Sequence, residues 1–235
     1  MGKSWKNPHK VEAANKKGAV ISKMAKEIAV AVKLGGPDPN ANARLRMAIE
    51  AAKEASCPKD TIERAIKKGS GQSDDKLQIE EVMYEGFGPH QVGVLVECQT
   101  DNRTRTAPDI RFLFKSYGGL MGEQGSVGWM FERVALVEGL PPKPDVDPEE
   151  EAIEVGANDV SKNKDGVYSF YGSPDDIETL RKNLAARGWN IKTCEFSYVA
   201  KNKTSLNPDQ LKEVYEFLDA LDDNEDCARL HTTLE

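Results

Sequence analysis

The first third of the chain has its apolar residues at the spacing of amphipathic helices. One segment, AVISKMAKEIAVAVKLGG, ends at Gly35 and Gly36, and glycine readily adopts the left-handed conformation that closes a helix. The face predicted to be buried consists of Ile21, Met24, Ala25, Ile28 and Val32. This pattern predicts a helix that packs along one side and ends at the glycine pair.

Two shorter helical segments follow. PDPNANARLRMAIEAAKEAS offers Asn40 or Asn42 as its N-cap, and in CPKDTIERAIKKG we predict Pro58 at the first helical position. The predicted buried stripe of the first segment is Leu45, Ala48, Ile49 and Ala52. Helices this short are not stable alone, so we expect all three to pack as a bundle over residues 1–76.

The pattern changes from helices to strands after the polar segment SGQSDDK, which marks a boundary at about residues 70–78. IEEVMYEGFG is predicted as one strand. QVGVLVECQT is predicted as the next, with Val92, Val94 and Val96 on one face. Between them, GFGPH has the glycines and proline of a hairpin connection and lacks the spacing of a phosphate-binding loop.

An arginine-rich loop, TDNRTR, follows the second strand. The segment after it, TAPDIRFLFKSYGG, is predicted as a helix with Thr106 as N-cap and Asp109 completing a capping box. Arg103 and Arg105 would then precede a helix N-terminus, whose partial positive charge disfavours further cations. Because the arginine charges add to that of the helix end, we predict that this corner attracts an anion. A neighbouring carboxylate or a phosphate would each satisfy it.

The rest of the chain predicts alternating strands and helices. GSVGWMFERVALVEG is predicted as a third strand with Val127, Trp129 and Phe131 on one face. LPPKPDVDPEEE is predicted as a linker with a helix starting near Asp147, followed by strand, helix and strand, and the chain ends with a capped helix and a last strand.

This order predicts an α+β fold in which one domain is inserted into another. The predicted domains are a helical bundle (1–76), a discontinuous α+β domain (77–139 and 204–235) and an inserted α+β domain (140–203).

Composition adds a charge division that the hydrophobic pattern does not show. With 39% hydrophobic and 30% charged residues, the chain is typical of a soluble globular protein, and the absence of a long apolar run or signal core predicts a cytoplasmic location. Residues 1–76 hold 16 Lys and Arg against 9 Asp and Glu, whereas the remainder holds 16 against 30, so charges of +7 and -14 make up the net -7. A basic head on an acidic body indicates either a polyanion partner or a solvated lysine-rich surface.

Catalytic and metal-binding patterns do not stand out. The four cysteines and three histidines are widely spaced, without a CxxC pair, and the acidic runs DVDPEEE and DDNEDC fit solvated turns and helix starts. We therefore predict no enzymatic activity, no cofactor or metal, and no small-molecule substrate.

Three blocks of the sequence resemble the YebC family of bacterial regulators, which includes mitochondrial translational activators. The blocks are KLGGPDPNANARLRMAIEAAKEASCPKDTIERAIKKGSG, YEGFGPHQVGVLVECQTDNRTRTAPDIRFLFKSYGG and GSVGWMFERVALV. The family's usual opening, Gly-His-Ser-Lys-Trp, is here GKSWKN without the histidine, and its usual glycine pair after GFGP is His90 and Gln91.

The resemblance implies a basic helical N-terminal domain and two α+β domains, one interrupting the other, around a central groove. It also implies regulation through nucleic acid, either as a transcriptional regulator on DNA or as a translation factor on the ribosome. Contacts to phosphates need only Lys, Arg and helix ends, while no helix-turn-helix with a base-reading face and no sheet with stacking aromatics is evident in the sequence.

Three hypotheses follow from the sequence. The first is a DNA-binding transcriptional regulator that docks by its basic head, the second is a translation factor that binds ribosomal RNA, and the third is a scaffold whose acidic domains recruit a protein. The candidate nucleic-acid-binding residues are Lys3, Lys6, Lys10, Lys16, Lys17, Arg44, Arg46, Lys67, Lys68, Arg103 and Arg105.

Overall fold

The computed structural model describes residues 8–72, 79–163 and 166–234, and for residues 8–17 it describes the backbone alone. The chain forms two compact units. The first comprises residues 1–129 and 203–235, and the second comprises residues 130–202. Both units combine helices with an antiparallel sheet, which confirms the predicted α+β class.

Three helices form the head of the first unit: α1 (Pro8–Gly35), α2 (Ala43–Glu54) and α3 (Lys59–Gly69). Their core is built from Ile28 and Val32 of α1, Leu45 and Ala52 of α2, and Ile62 of α3. The alternation of apolar and polar positions thus predicted the packed faces correctly. The boundary predicted at residues 70–78 lies largely outside the described residues.

Asn42 is the N-cap of α2 and also ties the loop after α1 to the bundle. Its side-chain oxygen accepts a hydrogen bond from the Leu45 N–H at 3.0 Å, and its amide nitrogen donates to the carbonyls of Ala31 at 2.7 Å and Gly36 at 2.9 Å. Asn42 is buried, so these bonds are shielded from water. Of the two candidates in the sequence, the structure selects Asn42 over Asn40.

The sheet of the first unit has the strand order β3-β1-β2-β8, formed by β1 (Glu80–Phe87), β2 (Gly93–Thr100), β3 (Leu120–Met121) and β8 (Cys227–Thr232). Helices α4 (Arg103–Ser116) and α7 (Pro208–Asp222) cover its apolar face. Val92, Val94 and Val96 meet Phe114 of α4 and Phe217 of α7 in one core. Because β8 pairs with β2, the end of the chain completes this sheet, as the nested order predicted.

The turn between β1 and β2 places two side chains in the left-handed region. His90 has φ of 56° and Gln91 has φ of 61°, at the positions where the resemblance would have placed glycines. Such a conformation is unfavourable for residues with a Cβ. The His90 Nε2 lies 2.8 Å from an oxygen of Glu213 on α7, and this contact helps to hold the turn.

The second unit holds β4 (Phe131–Leu140), α5 (Pro148–Val155), β5 (Asp159–Lys162), β6 (Tyr168–Gly172), α6 (Ile177–Ala186) and β7 (Asn190–Ala200). Its antiparallel sheet has the order β5-β6-β4-β7, the β-α-β-β-α-β arrangement of ferredoxin-like domains. Val137, Phe170 and Leu184 form its core with Trp189. The helix predicted near Asp147 begins there, with Asp147 as its N-cap.

The predicted third strand needs correction. Residues 128–130 form a short 3₁₀ helix, so Trp129 is not in a strand, and β4 begins only at Phe131. β4 pairs with β6 and β7 rather than with the first sheet. The chain therefore passes into the second unit at residue 130 rather than at the predicted residue 140. The separation of the head as a third domain stays a prediction, because head and first sheet cluster together.

The start of α4 also differs from the prediction. Its N-cap is Asn102, whose side-chain oxygen accepts a hydrogen bond from the Arg105 N–H at 3.1 Å, so the helix starts one turn before Thr106. Arg103 and Arg105 consequently lie inside the first turn and not ahead of it. Asn is as good a cap as Thr, and it occurs first along the chain.

Candidate nucleic-acid interface

On the solvent side of the head, four cations have no salt-bridge partner among the residues that the structure describes. Arg46 and Lys53 of α2 are seven residues apart, so they lie on the same side of the helix, away from its buried stripe. Lys67 and Lys68 occupy the last turn of α3, where the helix dipole favours cations. Within the described ranges none of the four forms a salt bridge. We call these four residues the head patch.

On α3, which carries two residues of the head patch, cations outnumber carboxylates. Helix α3 has four cations, Lys59, Arg64, Lys67 and Lys68, against Asp60 and Glu63. Lys59 is 3.6 Å from Glu63, an exposed pair worth little, and Arg64 bonds within its own helix. Helix α3 therefore keeps a positive excess.

Arg44, in contrast, faces into the first unit. Its guanidinium donates to both oxygens of Glu27 at 2.8 Å and 3.2 Å and to Glu81 at 3.1 Å. Burial by itself would raise the pKa of the Glu27 carboxyl, but the bonds and charge of Arg44, with help from Arg229 and Gln99, outweigh it and lower the pKa. Arg44 thus fastens α1 and α2 to the sheet.

The ion pairs continue across the sheet from that point. Arg229 lies 3.7 Å from Glu27 and donates to Glu97 at 3.1 Å, while the His231 Nε2 is 2.8 Å from the other oxygen of Glu97. The pKa of Glu97 would be raised by burial, but hydrogen bonding to His231 and the Arg229 charge lower it. These contacts join the head to β2 and β8.

The two arginines of α4 are also paired. Arg103 lies 2.9 Å from Glu80, and both side chains are largely exposed. Arg105 donates to both oxygens of Asp226 at 3.0 Å and 3.2 Å. The sequence predicted an anion at this corner. In the structure each arginine is paired with a carboxylate, Arg103 with Glu80 and Arg105 with Asp226.

Asp226 is the centre of the most buried charge cluster. Its side chain is only 3% exposed. It accepts hydrogen bonds from Lys26 of α1, from Thr106 at 2.7 Å and from Arg105. Burial would raise the pKa of this carboxyl, but the bonds from Lys26, Thr106 and Arg105 hold the pKa below its usual range. The cluster joins α1, α4 and the start of β8.

The remaining predicted residues lie at the start of the chain. Lys3 and Lys6 lie outside the described residues, and for Lys10, Lys16 and Lys17 only the backbone of α1 is described. The structure thus places Arg46, Lys67 and Lys68 on two helices of the head, where none of them forms a salt bridge with a described residue, and assigns internal partners to Arg44, Arg103 and Arg105. It adds Lys53, whose seven-residue spacing from Arg46 was visible in the sequence.

The sheet of the second unit has the topology of RNA-recognition domains but a different surface. The face opposite α5 and α6 presents Glu138 and Leu136 from β4, with Tyr171 from β6 and Glu195 from β7 in register with Leu136. Carboxylates on this face repel phosphate, and a row of stacking aromatics on the two central strands is missing from its described positions. The head is therefore the better surface for a polyanion.

The described part of the chain shows neither a metal site nor a membrane span. No group of three His, Cys, Asp or Glu side chains among the described residues could hold a metal ion. Within the same residues, none of the helices has the length and apolar character needed to cross a bilayer.

Comparison with known proteins gives the family. Residues 3–72 match the family model described as the TACO1/YebC protein N-terminal domain, and residues 79–234 match the TACO1/YebC second and third domain. A protein from Bdellovibrio bacteriovorus named as a probable transcriptional regulatory protein is 60% identical and covers 100% of both chains. One of the same name from Pseudomonas fluorescens is 44% identical over 96% of each chain.

A solved structure agrees with the fold. The crystal structure of a conserved hypothetical protein from Aquifex aeolicus superposes with a TM-score of 0.82 at 38% sequence identity, covering 94% of this chain and 90% of the other. With both family models spanning most of the chain, the resemblance found in the sequence is confirmed, and the chain belongs to the TACO1/YebC family.

Proposed function

We propose that this protein is a nucleic-acid-binding regulatory protein that acts on transcription by docking its basic head on DNA. The observation that carries the proposal is the head patch, on the basic part of an otherwise acidic chain: three exposed cations and the half-buried Lys68, none of which forms a salt bridge within the described structure. Such cations bind phosphates and release counterions. The names of the relatives as probable transcriptional regulatory proteins support the same role.

Helix α3 is the element that we propose faces the DNA. Only residues 55–58 separate α2 from α3, and Ser56 in that turn has φ of 59°, in the left-handed region. Although no helix-turn-helix with a base-reading face was evident in the sequence, the connection has the length found in such motifs, whose second helix lies in the major groove. The exposed side of α3 offers Arg64 and Lys67, which suit guanine edges and phosphates.

A salt titration of binding tests the proposal. Fluorescence anisotropy of the full chain with a promoter fragment should give an affinity that falls steeply with salt, with a log-log slope of about -0.9 per phosphate contacted. The double variant Lys67→Ala/Lys68→Ala should weaken binding and reduce the slope by about one per lost contact. The matched control is Lys182→Ala/Lys212→Ala, which removes two exposed lysines of the second unit and of α7.

Equal affinity and slope for the head variant and the wild type would refute the head as the docking surface. Scrambled DNA of equal length bound as tightly as the promoter fragment would refute sequence-specific regulation. The control variant should bind like the wild type at every salt concentration.

A translation factor bound to ribosomal RNA is the second candidate. It is favoured by the chemistry of the head patch, because cations that contact phosphates alone fit a folded RNA as well as a duplex. Co-sedimentation with ribosomes at low salt, lost in Lys67→Ala/Lys68→Ala but kept in the lysine control, would support it. Absence of the wild type from the ribosomal fraction would eliminate it.

A further inference from the structure

Helix α4 has an exposed aromatic side chain in the middle of its solvent face. Ile110 and Phe114 anchor the helix in the core of the first unit and are fully buried. Phe112 is displaced by about 200° from Ile110 around the helix axis, since each residue turns about 100°. Its side chain is accordingly 68% exposed. Packing in the first unit therefore gives no reason for an aromatic ring at this position.

The side chains around Phe112 are cationic. Arg111 precedes it and Lys115 lies one turn further on, both exposed, and neither forms a salt bridge in the described part of the chain. The whole helix carries four cations, Arg103, Arg105, Arg111 and Lys115, against the single carboxylate Asp109. This is a basic helix in the part of the chain that has a net charge of -14, where 16 Lys and Arg face 30 Asp and Glu.

No described aromatic or cationic side chain stacks on the ring of Phe112. Single exposed apolar residues are common on protein surfaces, so exposure by itself has no meaning. Phe112, however, forms no aromatic pair and no cation-π contact within the described residues, although cations flank it. An accessible ring face beside two accessible cations fits a ligand that has both flat faces and negative charge.

We propose that the solvent face of α4 binds single-stranded nucleic acid, with an unpaired base stacked on Phe112 and the adjoining phosphates held by Arg111 and Lys115. Base stacking on an aromatic ring flanked by cations is the common mode of binding single strands. A duplex cannot use this surface in the same way, because its bases are already stacked. The proposal rests on the proposed function in assigning nucleic acid as the partner, but it concerns a second surface and an unpaired substrate.

The test compares short single strands with a duplex. Labelled oligo(dT) and oligo(U) of about twelve nucleotides, which suit a small binding site, and a duplex of similar length are titrated with the full chain. Phe112→Ala should weaken binding of the single strands by about tenfold or more, as loss of one stacked base does. Phe112→Trp should retain it, and the duplex should bind Phe112→Ala and wild type equally. Comparing the two oligonucleotides distinguishes DNA from RNA as the source of the strand.

Ile153 provides the matched control. It is 78% exposed on α5 and lies among glutamates, so Ile153→Ala removes a comparable apolar surface in an acidic setting and should leave binding unchanged. Arg111→Ala/Lys115→Ala should lower the log-log salt slope for single strands by about 0.7 per cation. Phe112 lies outside the core, so circular dichroism of Phe112→Ala should match the wild type.

Several results would overturn the proposal. Unchanged single-strand affinity in Phe112→Ala, or equal losses for single strand and duplex, would do so, as would wild type that binds no single strand. A dimer in sedimentation that dissociates in Phe112→Ala would show a second copy of the chain as the occupant. If Lys67→Ala/Lys68→Ala weakens duplex binding and Phe112→Ala leaves single-strand binding unchanged, the head proposal stands and this one fails. If Phe112→Ala weakens single-strand binding and Lys67→Ala/Lys68→Ala leaves duplex binding unchanged, this proposal stands and the head proposal fails.

Discussion

Replacing Asp226 by Asn should destabilise the first unit by more than its small change in shape suggests. The carboxylate is 3% exposed and faces Lys26 and Arg105, so the amide removes the charge partner of Lys26 and the nearest of the carboxylates around Arg105. Removing one member of a buried ion pair costs about 3–5 kcal/mol. Arg105 is 44% exposed and still has Asp101 at 3.6 Å, so we expect the lower end, about 3 kcal/mol.

Asp222 gives the matched control for this experiment. It pairs with Lys23 of α1 at 2.9 Å, again joining α1 to the end of α7, but its side chain is 67% exposed. Exposed pairs contribute at most about 1 kcal/mol, so Asp222→Asn should change stability little. Native-state hydrogen exchange of β2 and β8 amides is the suitable measurement, because it reports on the first unit without requiring both units to unfold together.

The pH dependence of stability independently tests whether the ionised carboxylate of Asp226 stabilises the fold. The pKa of Asp226 is lowered in the folded protein, so its stabilising contribution is complete above the unfolded pKa of about 3.9 and is lost as the pH falls through the lower folded value. The stability difference between wild type and Asp226→Asn should be constant from about pH 7 to pH 5 and shrink below about pH 4. Equal stability at pH 7, or a difference that is the same at about pH 5 and pH 3, would refute this account.

Four further substitutions at three places test other parts of the fold. Glu85→Gln should weaken the loop at residues 125–128 by about 1–3 kcal/mol, because the N–H groups of Gly125, Val127 and Gly128 donate to this carboxylate at 2.7–2.9 Å. Hydrogen exchange of these three amides should become faster, and unchanged exchange would contradict the prediction. Gln91→Gly should raise the free energy of unfolding in urea by up to about 1 kcal/mol, because glycine relieves the strain of the left-handed conformation. His90→Gly should raise it by less, because the contact of His90 with Glu213 on α7 is lost. A lower free energy of unfolding for Gln91→Gly would contradict the strain. Asn42→Ala should cost about 2 kcal/mol in thermal unfolding because the cap is buried, and a cost near zero would show that water replaces it.

The sequence predicted those elements whose signals are local. The faces of α1 and α2 and the hairpin of β1 and β2 follow from hydrophobic spacing and turn residues, which act over a few positions. Strand β5 was missed because Asp159–Lys162 is short and has one apolar residue. The start of α4 was misplaced because Asn102 and Thr106 are both good caps, and Thr106 is instead occupied with Asp226.

The charge partners of the candidate residues could not be predicted from spacing. Arg44 meets Glu27 and Glu81, which are 17 and 37 positions away, and Arg105 meets Asp226 across 121 positions. Only the fold decides whether an arginine meets such a carboxylate or solvent. The excess charge of the head was readable from composition, whereas the separation of exposed cations from those that hold the unit together required the tertiary structure.

The entry and exit strands of the second unit are hydrogen-bonded neighbours, and this has an evolutionary consequence. Phe131 of β4 is paired with Ala200 of β7, and the Lys201 N–H donates to the Met130 carbonyl at 2.9 Å. Directly opposed residues in antiparallel strands are about 5 Å apart at their Cα atoms, so the host chain has to span only the width of a tight turn. An ancestral hairpin loop could have grown into residues 130–202 by gene insertion without any rearrangement of the strands on either side.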